Sequence, residues 1–233
     1  MIELIGSGLA PAEAARRALD PPGDPDAENA GIATTGGAGL VAGYRESLAL
    51  AFSEFDDRSA DRVLDRAVAV LSIDALLDDV LLPVLRSLEG GTIGQEHFAS
   101  NVVRGRLLAL ARGWGGGEGR LAVLACPEGE LHDLGLIAFG LALRARGWRI
   151  GFLGANMPIA AIVIAADEMD PAVVVLCALT GGAFDGSETE LAQLGERTHL
   201  HLAGPGAPDG LAEGIGATYL REGPVSSAAA LVA

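Results

Sequence analysis

The sequence predicts an α/β-plus-all-α architecture: a four-helix bundle followed by a five-stranded parallel sheet. Apolar residues recur at helical spacing over residues 40–112. From Arg120 onward, short apolar runs of strand length alternate with helical stretches. A glycine-rich joint, Gly113 to Gly119, separates the two patterns.

The helical half shows four stripes. Tyr44, Leu48, Ala51, Phe52 and Phe55 make the first, and Val63, Leu64, Ala67, Val68 and Leu71 the second. Leu76, Leu77, Val80, Leu81, Val84 and Leu85 make the third, in which Pro83 predicts a kink. Phe98, Val102, Val103, Leu107, Leu110 and Ala111 make the fourth. Short connections between them imply antiparallel neighbours. Asp61 and Asp74 fall near helix starts, where negative charge is favoured.

In the second half, strands fit 121–126, 149–154, 172–179, 199–203 and 217–220. Helices fit 134–146, 158–168, 187–196 and 208–214. Strands joined through helices build a parallel sheet with right-handed crossovers. Five of them suit a flavodoxin-like or Rossmann-like order. Upstream, residues 1–19 read as a short, broken amphipathic helix, with Pro11 in the first turn of its second part. Residues 20–39, rich in Pro, Gly, Asp and Thr, read as a flexible linker.

The 233 residues carry a net charge of −15, which argues against a DNA grip through this chain's own surface. Half of the residues are hydrophobic but only 4% are aromatic, so Ala, Leu, Val and Gly fill the core. Cys126 and Cys177 lie in apolar runs and read as buried thiols in a reducing compartment. No apolar stretch has membrane-spanning length and no signal peptide opens the chain, so the expectation is cytoplasmic.

The loop after the first strand carries the most chemistry. It reads Glu130-Leu131-His132-Asp133-Leu134-Gly135. A histidine there sits at the carboxyl edge of the sheet, where α/β folds bind ligands. A carboxylate two residues earlier can orient the ring, and a glycine three residues later leaves room for a bulky group. The other strand ends on this edge are small: Gly154-Ala155 after the second strand, Cys177-Ala178-Leu179-Thr180 after the third, Gly204-Pro205-Gly206 after the fourth. Such turns clear a slot rather than build a charged catalytic cluster, and no catalytic set or enzyme activity is expected. His199 and His201 alternate along a strand with no further metal ligand at suitable spacing.

Residues 120–221 resemble the cobalamin-binding domain shared by methionine synthase, corrinoid proteins and cobalamin-dependent photoreceptors. The resemblance rests on the acid-x-His-x-x-Gly loop from Glu130 to Gly135, the Cys177-Ala178-Leu179 segment and the Gly204-Pro205-Gly206 turn. It implies that His132 binds the lower face of cobalt. The displaced dimethylbenzimidazole tail is then expected between the sheet and the helix after Gly135, near Gly154, Cys177, Leu179, Thr180, Gly204 and Gly206. Glu130 or Asp133 would hydrogen-bond the other imidazole nitrogen. Cys177 stands where a serine is common and Pro205 splits a usual glycine pair.

The helical half resembles the cap of cobalamin-binding photoreceptors of the MerR-like regulator class. Ile93-Gly94-Gln95-Glu96-His97 matches the helix bearing their Glu-His pair, placing Ile93, Glu96 and His97 on the upper side of the corrin. Arg86 stands at the position of their capping tryptophan, and Ser87 where some have a histidine. Arginine does not reproduce an apolar indole lid; Arg86 could pair with Glu96 or meet a different upper ligand. Residues 1–19 resemble the tail of a MerR-type winged-helix domain, whose DNA-reading half is not among these residues.

The resemblance implies a bundle cap over residues 40–112 and a cobalamin-binding domain over 120–233. It implies adenosylcobalamin, with methyl- or hydroxocobalamin as other forms, a homo-oligomer, and DNA contact only through a winged helix outside this chain. In related photoreceptors adenosylcobalamin promotes assembly and light breaks the cobalt–carbon bond. The competing readings are a corrinoid methyl carrier serving methyltransferases and a stand-alone cobalamin-binding protein that acts through protein contacts.

Overall fold

The computed structural model describes residues 35–232 apart from Glu89 and Asp209. The expected helix over 1–19, and residues 20–34 of the expected linker, lie outside the described residues. The last linker residues do not: helix α1 spans Thr35–Ser53, so it begins inside the glycine-rich stretch.

Three more helices complete the bundle. α2 is Asp57–Val70, with Asp56 as N-cap accepting the Ser59 amide at 2.9 Å. It buries Ala60, Leu64 and Ala67 and leaves a charged outer face. α3 runs over residues 73–87, starting from the Ser72 cap. α4 is Ile93–Leu110, opened by a Thr92–Gln95 capping box that satisfies two otherwise orphan amides.

The disturbance expected at Pro83 takes the form of a π-turn. Residues Leu76–Leu81 are π-helical, and the Leu82 amide bonds to the Leu77 carbonyl. Pro83 has no amide to give Asp79 and its ring crowds that carbonyl. The widened turn just before it keeps Leu76, Leu77, Val80 and Leu81 all buried.

The sheet has the order β2-β1-β3-β4-β5, all parallel. Its strands are β1 Leu121–Pro127, β2 Arg149–Met157, β3 Val173–Cys177, β4 His199–Ala203 and β5 Thr218–Leu220. This is the flavodoxin-like order expected from the sequence. β2 runs three residues beyond the expected 154, through register shifts opposite β1. β3 is shorter than the expected 172–179, and its last two expected residues form the loop over the sheet edge.

The crossover helices are α5 Leu134–Ala145, α6 Ile159–Met169, α7 Glu188–Arg197 and α8 Leu211–Gly214. A last helix, α9 Pro224–Ala230, was not anticipated. Strand alternation sorts the core into two layers. Val123, Ala125, Val174 and Leu176 face α6 and α7. Ala122, Leu124, Cys126, Val173, Val175 and Cys177 face α5 and α9, in one apolar cluster continuous with the bundle.

Trp114 pins the glycine-rich joint. It stacks edge-on against Phe152, and a Cβ at Gly140 would meet the Leu124 methyl at 3.0 Å and the Trp114 ring at 3.1 Å, so α5 packs closely there. Among the described residues no helix is long and apolar enough to cross a membrane.

Candidate cofactor site

β1 and β3 are neighbours, but the chain leaves β1 toward β2 and returns on β1's other side. That reversal opens a crevice at the carboxyl ends of β1 and β3, the place where such sheets bind ligands. Glu130, in the loop after β1, bridges it. Its side chain is fully buried. Oε1 accepts from the His132 amide at 2.8 Å and lies 2.6 Å from His132 Nδ1. Oε2 accepts from the Leu179 amide at 2.6 Å, the Thr180 amide at 2.8 Å and the Thr180 hydroxyl at 3.0 Å.

These contacts fix its charge. Burial alone pushes the Glu130 carboxyl up, but donors from His132, Thr180 and Leu179 outweigh it and hold the group at about 2. A carboxylate facing Nδ1 makes that nitrogen the protonated one. In the neutral ring Nε2 is then the nitrogen with the free lone pair, and the His132 side chain is 62% exposed. The expectation left Glu130 and Asp133 as alternatives for orienting the ring; the geometry selects Glu130.

Asp133 turns the other way. It is 2% exposed and precedes α5 as N-cap, but its carboxylate makes no capping bond. It takes a two-pronged grip from Arg104 of α4, with Nε to Oδ1 at 2.8 Å and NH2 to Oδ2 at 2.7 Å. The residue next to His132 is therefore tied to the bundle.

Asn156 holds the loop from the other side. Its amide donates to the Glu130 carbonyl at 2.9 Å, and its side-chain oxygen accepts from the Gly129 amide at 2.8 Å. It does so from a left-handed backbone, φ 57°, which asparagine tolerates better than most residues.

Behind the loop lies a cavity of about 160 Å³ between the sheet, α5 and α9. Gly135, Cys177, Leu179 and Gly204 line it, together with Phe139, Val175, Leu220 and Ser227. A Cβ at Gly135 would meet nothing within 4 Å. Burial, then the nearby Glu130 charge, pushes the Cys177 thiol up to about 12, so it stays protonated.

Gly204, which lines the slot, and Gly206 also make a contact within the fold. A Cβ on Gly204 would overlap the Ala178 carbonyl, and one on Gly206 the Thr180 carbonyl. Both glycines let the turn after β4 pack onto the loop after β3, where the Gly206 amide donates to Ala178 O at 2.9 Å. Pro205 does not break this packing. Gly154 sits in the β2 irregularity opposite Ala125, at φ 85°.

The four bundle residues are placed apart from this loop. Arg86, His97 and Ile93 are exposed. Glu96 accepts from the Gly90 amide at 3.2 Å, not from Arg86. Among the described residues none of the four bonds to the loop. Arg104 lies seven residues beyond His97 on the same α4 face, about 10 Å along the axis. The face that carries His97 is thus the one that reaches the His132 loop.

Sequence reading missed Arg104, Asn156 and α9. Asn156 before Met157-Pro158 and Pro224 after Gly223 were visible signals for a turn and a helix start. Arg104 had no local signal.

The site is thus an oriented, exposed histidine beside an apolar slot, on a loop that Arg104 ties to the helical bundle. Among solved structures, the monomethylamine corrinoid protein of Methanosarcina barkeri superposes with a TM-score of 0.63, covering 83% of this chain and 95% of that one at 17% identity. At that identity the likeness shows the fold. No protein-family model matches the chain.

Two sequence relatives are transcriptional repressors of Myxococcus xanthus. The chain is 39% identical over 117 residues to the HTH-type transcriptional repressor CarA, covering 49% of this chain and 41% of that protein. It is 35% identical over 139 residues to the HTH-type transcriptional repressor CarH, covering 57% of this chain and 44% of that protein. It therefore spans less than half the length of each of these two relatives.

Proposed function

We propose that this chain is the cobalamin-binding effector module of a MerR-like transcriptional regulator, with His132 as the protein ligand to cobalt. The observation that carries this is the Glu130–His132 pair at the sheet edge beside an apolar slot. A metal-ligating histidine needs its second nitrogen held by an acceptor, and Glu130 supplies one at 2.6 Å. The similarity to two named repressors supports the regulatory half of the reading.

The residues present fit the cofactor. His132 offers Nε2 outward, Gly135 leaves open space beside it, and the slot accepts an apolar group between β3, α5 and α9. Adenosylcobalamin is the proposed form; when bound it supplies an alkyl–cobalt bond that light can break. Ile93, Glu96, His97 and Arg86 are the proposed neighbours of its upper side. The exposed Arg86 leaves that side without an aromatic lid from position 86. The chain acts by binding, as a homo-oligomer whose packing depends on the cofactor, and it reaches DNA only through a winged helix outside these residues. Such coupling requires that the cofactor contact the two packing states differently.

The test uses adenosyl-, methyl- and hydroxocobalamin with absorption spectra and size-exclusion profiles in dark and light. Binding with a histidine-ligated spectrum, lost in His132→Ala, is expected. If none of the three binds, the reading falls. Binding with no change of size in the light retains the cofactor module and removes the photosensory role.

A further inference from the structure

We propose that Asp133 is a two-position latch: gripped by Arg104 it holds the bundle to the His132 loop, and released it turns to cap α5. Its role rests on the cofactor reading above, to which it adds a coupling between the seat of the bundle and the set of that loop.

An ion pair clamps α5 to the bundle at each end. Arg146, its C-cap residue, pairs with Asp74 of α3, with NH2 2.8 Å from Oδ2. Asp133, its N-cap residue, takes three bonds from Arg104 of α4, at 2.8, 3.1 and 2.7 Å. The two ends differ in what else the α5 residue does. Arg146 also donates to the Ala142 carbonyl of its own helix at 2.9 Å, so it serves α5 while it holds the bundle. Asp133 does not. Aspartate is among the best N-caps. Asp56, Ser72 and Thr92 each cap a bundle helix with the side chain, yet α5 has no side-chain cap.

The backbone shows why. Those three caps have extended ψ, between 90° and 160°, whereas Asp133 has helical angles, φ −98° and ψ −3°. Its carboxylate is turned to Arg104 instead of the amides of Gly135 and Leu136, the two that an N-cap side chain reaches and that have no acceptor within the helix. Reaching the capping position turns ψ of Asp133. That changes the angle between α5 and His132, one peptide bond away. Arg104 is the partner able to let go: its side chain is 44% exposed against 3% for Asp133. Water can replace the carboxylate around the guanidinium, but the buried carboxylate must find other donors. The two first-turn amides of α5 are such donors.

The test is amide hydrogen exchange on the full chain, read by NMR at Gly135 and Leu136. Arg104→Gln removes the grip, and the released carboxylate is expected to slow exchange at one or both amides about threefold to tenfold. Asp133→Asn is expected to do the same without leaving a buried charge, because asparagine caps as well as aspartate. Asp133→Ala has no group to cap with, so exchange there should match the parent or be faster. Unchanged or faster exchange in either Arg104→Gln or Asp133→Asn, in a folded variant, overturns the proposal: losing a tie that only braces the fold loosens α5. Adenosylcobalamin titrated into Arg104→Gln is expected to bind about tenfold more weakly than to the parent. Equal affinity overturns the coupling to the cofactor. If the parent binds no cobalamin, the cofactor reading falls, and the exchange rates still decide the latch.

Discussion

Glu130 Oε1 lies 2.6 Å from His132 Nδ1, while the other oxygen of the same carboxylate holds the Leu179 amide at 2.6 Å. One buried charge therefore orients the ring and ties the β1 loop to the β3 loop. Glu130→Gln keeps the shape but turns one acceptor oxygen into a donor. That donor must face either the His132 amide or the Leu179 and Thr180 amides, none of which accepts it, so it is left to the Thr180 hydroxyl or to Nδ1 in the other tautomer. The variant is expected to lose about 2 kcal/mol of stability, measured by chemical denaturation. Cobalamin affinity is expected to fall about tenfold to a hundredfold, measured by titration.

The same carboxylate sets an acid limit. Its folded pKa is about 2, against 4.5 for the free side chain. A depressed carboxyl contributes stability fully above the unfolded value and loses it as pH falls toward the folded one. The Glu130 share of stability should therefore be complete above pH 4.5 and drain away between 4.5 and 2. Denaturation midpoints of the parent and Glu130→Gln, followed over that range, should converge as pH falls. A constant difference would show that the charge of Glu130 is not what stabilises the loop.

Much of this was legible because it is local. Helical stripes and strand-length runs gave the bundle, the sheet and its order, since both patterns repeat within a few residues. The Glu130–His132 pair was visible for the same reason. Arg104 was not: its partner Asp133 is 29 residues away, and nothing near Arg104 marks it as different from Arg106, which pairs with Asp65 instead. The role of Gly206 was likewise hidden, because the Thr180 carbonyl that demands it comes from another strand end. At Pro83 a kink was expected, and what precedes it is a widened turn over Leu76–Leu81, whose buried side chains lie on either side of the extra residue.

The Arg104–Asp133 pair should behave as a coupled unit. Removing Arg104 leaves a carboxylate that is 2% exposed without its cation. Arg104→Gln is expected to cost about 1–3 kcal/mol, below the range for fully buried pairs because the arginine is half-exposed. Asp133→Asn should cost less, since an amide needs no countercharge. A double-mutant cycle is expected to show a coupling of about 1–2 kcal/mol. Simple additivity would mean that the two groups do not stabilise each other in solution.

Gly135 and Gly204 both line the slot, yet alanine should affect them in opposite ways. At Gly204, φ is 85° and the added Cβ runs into the Ala178 carbonyl, which is backbone and cannot rotate away. Gly204→Ala is therefore expected to cost at least about 2 kcal/mol in thermal or chemical unfolding, cofactor or not. At Gly135 the Cβ meets nothing within 4 Å, and the residue lies in the first turn of α5. Alanine there relieves the entropic cost of a helical glycine, so Gly135→Ala should be as stable as the parent or up to about 1 kcal/mol more stable. Its methyl occupies the space left open beside His132, so cobalamin affinity should fall by about tenfold or more, as in other overfilled sites. Unfolding curves and titrations on the two variants separate a glycine kept for the fold from one kept for the ligand. If Gly135→Ala binds cobalamin as the parent does, the open space beside His132 is not where the cofactor sits.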